Sequence, residues 1–233
     1  MNTVVSTKIE PTVASDATCG AEMAIPRLPN RGGLRVLLAV VCLVTGFAAG
    51  PLHAASGNVW IAELVWAPQY CRDNADERSS EACNQAYGLV LRRLRPPGDR
   101  KCGGTLSDAT IDSAVRFIVS RRWVQQMWRR DGGCSGKTDR EYFDFISLMM
   151  DRIEVPQSLR EAPRQPARTS GPQLERDLLD VNRGLRPDAT VLHCGGTFLT
   201  QLDLCFDDDL NAATCPADRK RVCADRIDLR SAN

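Results

Sequence analysis

Eight of the ten cysteines in this 233-residue chain fall after residue 70, at Cys71, Cys83, Cys102, Cys134, Cys194, Cys205, Cys215 and Cys223. The other two lie upstream, Cys19 before and Cys42 within an apolar run from Val36 to Ala49. Arg27, Arg31 and Arg35 precede that run, and a mostly small stretch through Ala54, Ala55 and Ser56 follows it. A basic flank, a short apolar segment and a small-residue site make a secretory signal peptide. The run is too short for a membrane span, which needs about 20 residues. Met23 opens a signal of conventional length, so residues 1–22 read as surplus upstream sequence. Residues 1–55 are thus expected to be an extension and signal peptide, and residues 56–233 one domain. An even cysteine set after an export signal predicts four disulfides in an oxidising compartment, periplasmic or extracellular. Zinc ligation fits poorly, because there is no Cys-x-x-Cys pair and His193 is the one histidine after residue 55. Eight cysteines allow about 105 pairings, so spacing alone does not choose among them.

Charge narrows the function classes. Loss of residues 1–55 removes Lys8, Arg27, Arg31 and Arg35 with Glu10, Asp16 and Glu22, which leaves basic and acidic side chains in balance. Bulk charge therefore recruits no nucleic acid. Hydrophobic residues make up 43% of the chain, enough for a core, and exclude a disordered or fibrous chain. No membrane span is expected after signal removal, and the domain is expected to be a monomer without a cofactor.

Periodicity supplies the elements. Trp60, Ala62, Leu64 and Trp66 alternate with Val59, Ile61, Glu63 and Val65, which predicts a strand ended by Pro68. A polar, disulfide-closed loop is expected from Arg72 to Gln85, and a second strand from Tyr87 to Leu94 before Pro96-Pro97. Ser107 starts a helix whose apolar positions, Ile111, Val115, Ile118 and Val119, keep helical spacing. Further helices run through Val124, Met127 and Trp128 to Gly132-Gly133, and from Arg140 to Ile153. The Pro- and Arg-rich stretch from Pro156 to Pro172 reads as an exposed loop, and Leu174 to Val181 as a short helix. Thr190 to His193 and Phe198 to Phe206 close the chain as strands. Separated strands and helices predict an α+β fold, an antiparallel sheet with surrounding helices.

Three stretches line up with a family: Leu64-Val65-Trp66-Ala67-Pro68-Gln69-Tyr70-Cys71, then Tyr87 through Pro96, then Trp128 through Gly136 followed by Tyr142-Phe143. The C-terminal Leu192-His193-Cys194-Gly195-Gly196 with Leu202-Asp203-Leu204-Cys205 continues the pattern. Their order and spacing resemble the ribonuclease T2 family of secreted endoribonucleases. The resemblance covers roughly residues 58–225 and implies that family's α+β fold. It also implies the pairing Cys71–Cys83, Cys102–Cys134, and Cys205–Cys215 nested inside Cys194–Cys223.

The resemblance locates the chemistry and shows it altered. The family cuts RNA by transphosphorylation, with one imidazole taking the ribose 2′-OH proton and another protonating the leaving oxygen. Its first motif, His-Gly-Leu-Trp-Pro, reads Arg92-Arg93-Leu94-Arg95-Pro96 here. Its second, His-Glu-Trp-x-Lys-His-Gly-Thr-Cys, reads Gln126-Met127-Trp128-Arg129-Arg130-Asp131-Gly132-Gly133-Cys134. The catalytic positions are thus Arg92, Met127 and Asp131, and the phosphate-binding lysine position is Arg130. An arginine cannot act as a base at any working pH, and Met127 exchanges no proton. Removing one general acid or base typically costs about 10²–10⁴-fold, so endoribonuclease activity is expected to be lost or weak. His193 sits on a closing strand and reads as a scaffold imidazole.

Two uses of the pocket remain open. Arg92, Arg93, Arg95, Arg129 and Arg130, with Gln126 and Tyr70 and with Arg121 and Arg122 nearby, could hold RNA or a phosphate-bearing ligand, making a pseudoenzyme. Alternatively, Arg92 and Asp131 neutralise each other in a filled cleft. Alternation puts Arg93 and Arg95 on one face and Arg92 on the other. Residual cleavage through Asp131, or a secreted interaction protein using the scaffold alone, are the rival functions. Trp66 and Trp128 read as core, Tyr70 and Tyr87 as candidates for a wet site, and Asp207-Asp208-Asp209 as a solvated turn rather than a calcium loop, so no metal is expected.

Overall fold

The computed structural model of the protein describes residues 58–98, 101–219 and 223–232. The expected signal peptide and domain boundary at residue 55 lie outside those residues. Within them, six strands form one sheet and six helices surround it, an α+β architecture. Strand β1 (Trp60–Trp66) lies between β2 (Leu89–Arg95) and β5 (Phe198–Phe206), antiparallel to both. Strand β4 (Thr190–Gly195) pairs with β5, which also touches β6 (Arg226–Leu229), and β6 carries β3 (Ala167–Ser170). Every residue of β1 is buried, so the alternation read in the sequence separates two covered faces, not core from solvent.

Helices α1 (Ala67–Asp73), α2 (Asp108–Ala114), α3 (Arg121–Arg130) and α4 (Asp139–Arg152) precede the short α5 (Gln157–Arg160) and α6 (Gly171–Val181). Pro68 ends β1 as expected, because proline at a first helical turn costs no hydrogen bond. Ser107 caps α2 by accepting from the Thr110 amide, and Thr138 with Glu141 closes a capping box on α4. Helix α2 stops at Ala114, short of the periodic pattern, while Ile118 stays buried. The spacing there reports burial, not helix. Trp123, Val124, Met127 and Trp128 form the buried stripe of α3, and Phe145 of α4 packs tilted against Trp60 with centroids 4.8 Å apart.

Two expectations are corrected. The segment 156–172 is not a bare exposed loop: Pro156, Leu159 and Ala162 are buried, and residues 167–170 make β3. Its partner β6 lies far downstream, and four residues, three of them polar, with a distant partner carry no local strand signature. The loop expected from Arg72 begins inside α1.

The four disulfides are Cys71–Cys83, Cys102–Cys134, Cys194–Cys223 and Cys205–Cys215, the pairing implied by the family resemblance. The second ties the segment after β2 to the end of α3. Gly133 meets Gly103 there so closely that an added Cβ would lie 2.2 Å from the Gly103 carbonyl oxygen. All four tryptophans are buried, which bears out the core reading of Trp66 and Trp128. Asp207 closes a turn by accepting from the amides of Asp209 and Asn211, while Asp208 anchors the Trp60 indole at 2.7 Å. No helix among the described residues is long and apolar enough to cross a membrane.

Candidate functional site

The motif residues on β2 part company because of one irregularity. Glu63 pairs with Arg93, but Leu64 pairs with Leu91, so Arg92 has no partner on β1. An unpaired residue of this kind is a bulge, and a bulge re-aims a side chain out of strict alternation. Arg92 turns toward α1 and α3. Its guanidinium carbon lies 4.8 Å from the Trp123 ring and 5.6 Å from Tyr70. Nε donates to the Tyr70 hydroxyl at 3.2 Å and Nη2 to Gln126 Oε1 at 2.5 Å. The residue is 8% exposed, and its Nη1 is buried without a hydrogen-bond partner. Such a group is costly unless something satisfies it.

Arg92, Tyr70 and Gln126 line a cavity of about 380 Å³. Arg122, Arg129 and Arg130 also reach it, against Asn74, Asp76 and Glu77. Arg122 pairs with Asp76 at 3.6 Å and with buried Glu77 at 3.5 Å, and Glu77 also accepts from the Trp123 indole. Arg129 and Arg130 are exposed and have no ion-pair partner among the described residues. Four guanidiniums against two carboxylates make the wall locally cationic, on a chain of balanced total charge.

The remaining motif residues belong to a second assembly. Arg93 grips Asp131 with two hydrogen bonds, Nε to Oδ2 at 3.0 Å and Nη2 to Oδ1 at 2.5 Å. Asp131, the residue ending α3, is 2% exposed. The expected alternative pairing of Asp131 with Arg92 is therefore corrected: the partner is Arg93. Hydrogen bonding to Asp131 raises the Arg93 pKa above its ordinary value, so this charge is permanent. Arg93 and Arg95 both approach Glu63, at 3.7 and 3.8 Å, on one face as alternation requires. Arg219 bridges Glu63 at 3.1 Å and Asp203 at 3.0 Å, and Asp203 accepts from Gln201 and pairs with His193 at 2.8 Å. The hydrogen bond to Asp203 raises the His193 pKa against an opposing burial effect. Tyr142, buried nearby, has its hydroxyl pKa pushed up by burial, then by the Asp131 charge.

The structure thus brings together Arg92, Gln126, Arg130 and Tyr70, with Arg129 and Arg122. It does not bring in Arg93, which is bound to Asp131, nor Arg95, which faces Glu63, nor Asp131, nor Met127, which is wholly buried in the core. Arg121 turns to Asp112. Tyr87 bridges to Glu161 instead of entering the cavity. Sequence reasoning missed Glu77 and Asn74, which sit in the disulfide-closed stretch and carry no periodic signal. It also missed the Glu63–Asp203–Arg219 cluster. Its one legible trace was a single acid within each of two apolar strands.

Comparison with known proteins agrees on the fold. No protein-family model matches the chain. A curated protein named Ribonuclease, from Aeromonas hydrophila, is 23% identical over 128 residues, 51% of this chain. The match covers 59% of that relative, less than two thirds of its length. Trichomaglin, described as an S-like ribonuclease, superposes with a TM-score of 0.60 at 19% identity, over 76% of this chain and 99% of that one. An RNase-related protein from Calystegia sepium gives 0.58 at 18%, over 76% and 98%. A mutant of ribonuclease MC1 in complex with 5′-UMP gives 0.57 at 15%, over 73% and 97%. These are ribonuclease T2-like structures, and the fold implied by the motifs is the one observed.

Proposed function

We propose that this chain is an exported, monomeric, T2-like domain spanning residues 56–233 that binds RNA or another phosphate-bearing ligand at the Arg92 cavity, with endoribonuclease activity lost or weak. The observation that carries the reading is the buried Arg92 Nη1, a charged donor without a protein partner beside a cationic cavity. A phosphate oxygen would satisfy it, and arginine matches phosphate geometrically. Similar structures include ribonuclease MC1 mutants in complex with 5′-UMP and with 5′-GMP, which supports a nucleotide-like ligand.

The replaced catalytic positions support the loss of cleavage. Arg92 cannot take a proton, Met127 is sealed in the core, and Asp131 is held by Arg93. Four disulfides suit an oxidising compartment, secreted or periplasmic. The test is fluorescence anisotropy with a single-stranded RNA. Three phosphate contacts, from Arg92, Arg129 and Arg130, give a salt slope of about −2, or roughly a 15-fold loss between about 50 and 200 mM salt. Arg92→Ala is expected to abolish most of that binding. Unchanged affinity in Arg92→Ala refutes the site. The RNA is also incubated with the wild type and with an Arg92→His, Met127→Glu, Asp131→His variant. Efficient wild-type cleavage to a 2′,3′-cyclic phosphate, above a mock preparation, refutes the loss of activity.

A further inference from the structure

A second cavity, of about 800 Å³, shares no lining residue with the Arg92 cavity. The end of α4, the end of α6, the last residue of β5 and the turn after it build its walls. Its apolar surface comes from Phe206, Val155, Leu185 and Leu210, with Ile153 and Val181. Leu210 is the informative residue. It is the one non-glycine residue with positive φ, 63°, among those described. It sits where the turn from Asp207 would suit glycine or asparagine, since a bulky side chain pays steric strain there. The side chain is half-buried, packed against the core and also lining the cavity. What the strain achieves is an apolar wall on the cavity.

The rim is charged and partly uncommitted. Glu154 is neutralised by Arg160 at 2.7 Å. Arg152 spends Nη1 on the Asp209 carbonyl, which fastens the turn carrying Leu210, and keeps its other donors. Arg183 is exposed and has no ion-pair partner among the described residues. Asp151 is the remaining acid, so two arginines outnumber it.

We propose that this cavity is a second ligand site, taking a small amphipathic organic anion. The apolar body lies against Phe206, Val155, Leu185 and Leu210, and the acidic head meets Arg183 and Arg152. The volume falls in the range of drug-sized pockets, roughly 300–1,000 Å³. The site is separate from the Arg92 cavity, so RNA does not compete for it.

The test uses anilinonaphthalene sulfonate as a fluorescent probe on the purified, disulfide-bonded protein. One saturable site is expected, displaced by decanoate and not by decylammonium. Leu210→Gly relieves the backbone strain and removes the wall. It is expected to keep or raise the thermal midpoint while weakening the probe about tenfold. Arg183→Ala is expected to weaken it about fivefold. Val181→Glu, at an exposed helical position lining the same cavity, gives a second variant that folds and is expected to weaken the probe similarly. Absence of saturable binding, unchanged affinity in Leu210→Gly and Val181→Glu, or displacement by decylammonium in preference to decanoate would each overturn the proposal. Competition by RNA would overturn the separateness of the site.

Discussion

The Arg93–Asp131 pair makes an asymmetric prediction about stability. Asp131 is 2% exposed and its carboxylate has Arg93 as its ion-pair partner. Arg93 is more exposed, with 22% of its side chain accessible, and keeps Glu63 at 3.7 Å when Asp131 is gone. Arg93→Ala therefore strands a buried charge and is expected to cost about 3–5 kcal/mol. Asp131→Ala leaves a cation with another acid and some water, and is expected to cost about 1–2 kcal/mol. The double substitution removes both charges, so its cost should fall about 2–3 kcal/mol below the sum of the singles. Urea unfolding at neutral pH with the disulfides intact, followed by circular dichroism, measures all four corners of the cycle. In thermal unfolding Arg93→Ala should lose about 6–20 °C, at about 2–4 °C per kcal/mol for a domain of this size. Equal costs for the two singles, or additivity in the double, would refute the reasoning. Asp131 would then not be a buried carboxylate dependent on Arg93, and the argument that it is unavailable as a base would fall with it.

Other perturbations follow from single contacts. The His193 pKa is raised by Asp203, so its stabilisation is fully present below the ordinary histidine value of about 6.5 and is lost as pH rises through the folded value. His193→Asn should therefore lower the urea midpoint near pH 5 and leave it nearly unchanged near pH 8. A uniform drop at both pH values would assign His193 a packing role only. Asp139 is held down to about 2, first by the Ser107 amide, so its contribution is present above about 3.8 and lost as pH falls through about 2. Asp139→Asn should be less stable than wild type at neutral pH, with the difference vanishing in strong acid; a gap that persists there would point elsewhere. At Gly88 an added Cβ would lie 2.0 Å from the Leu159 carbonyl oxygen, a backbone atom that cannot rotate away. Gly88→Ala should cost about 2–3 kcal/mol by thermal unfolding, and a neutral result would show that the Gly88–Arg160 contact is looser than placed.

The strands with strong alternation were legible, because a period of two is a local property that needs no partner. β1 and β5 appear close to where their patterns lie. β3 and β6 were not legible: each is four residues long, and they stabilise one another across the chain. The start of α2 was readable at Ser107 because a capping side chain acts within three residues, and α4, expected from Arg140, starts at Asp139 behind the Thr138 capping box. The end of α2 was not, since Ile118 stays apolar for the core after the helix has stopped.

The site divides the same way. That proton-transfer chemistry is missing follows from residue identity alone, because no fold makes an arginine a base or a methionine an acid. The cysteine frame and its aromatic neighbours were likewise enough to place the chain in a T2-like fold. Which motif residues share a pocket was decided only in three dimensions. A one-residue bulge opposite Glu63 and Leu64 sends Arg92 to Trp123 and Gln126, while Arg93 goes to Asp131. Arg219 reaches Glu63 from 156 positions away. Bulges and long-range ion pairs are properties of two strands meeting, and one strand read by itself does not contain them.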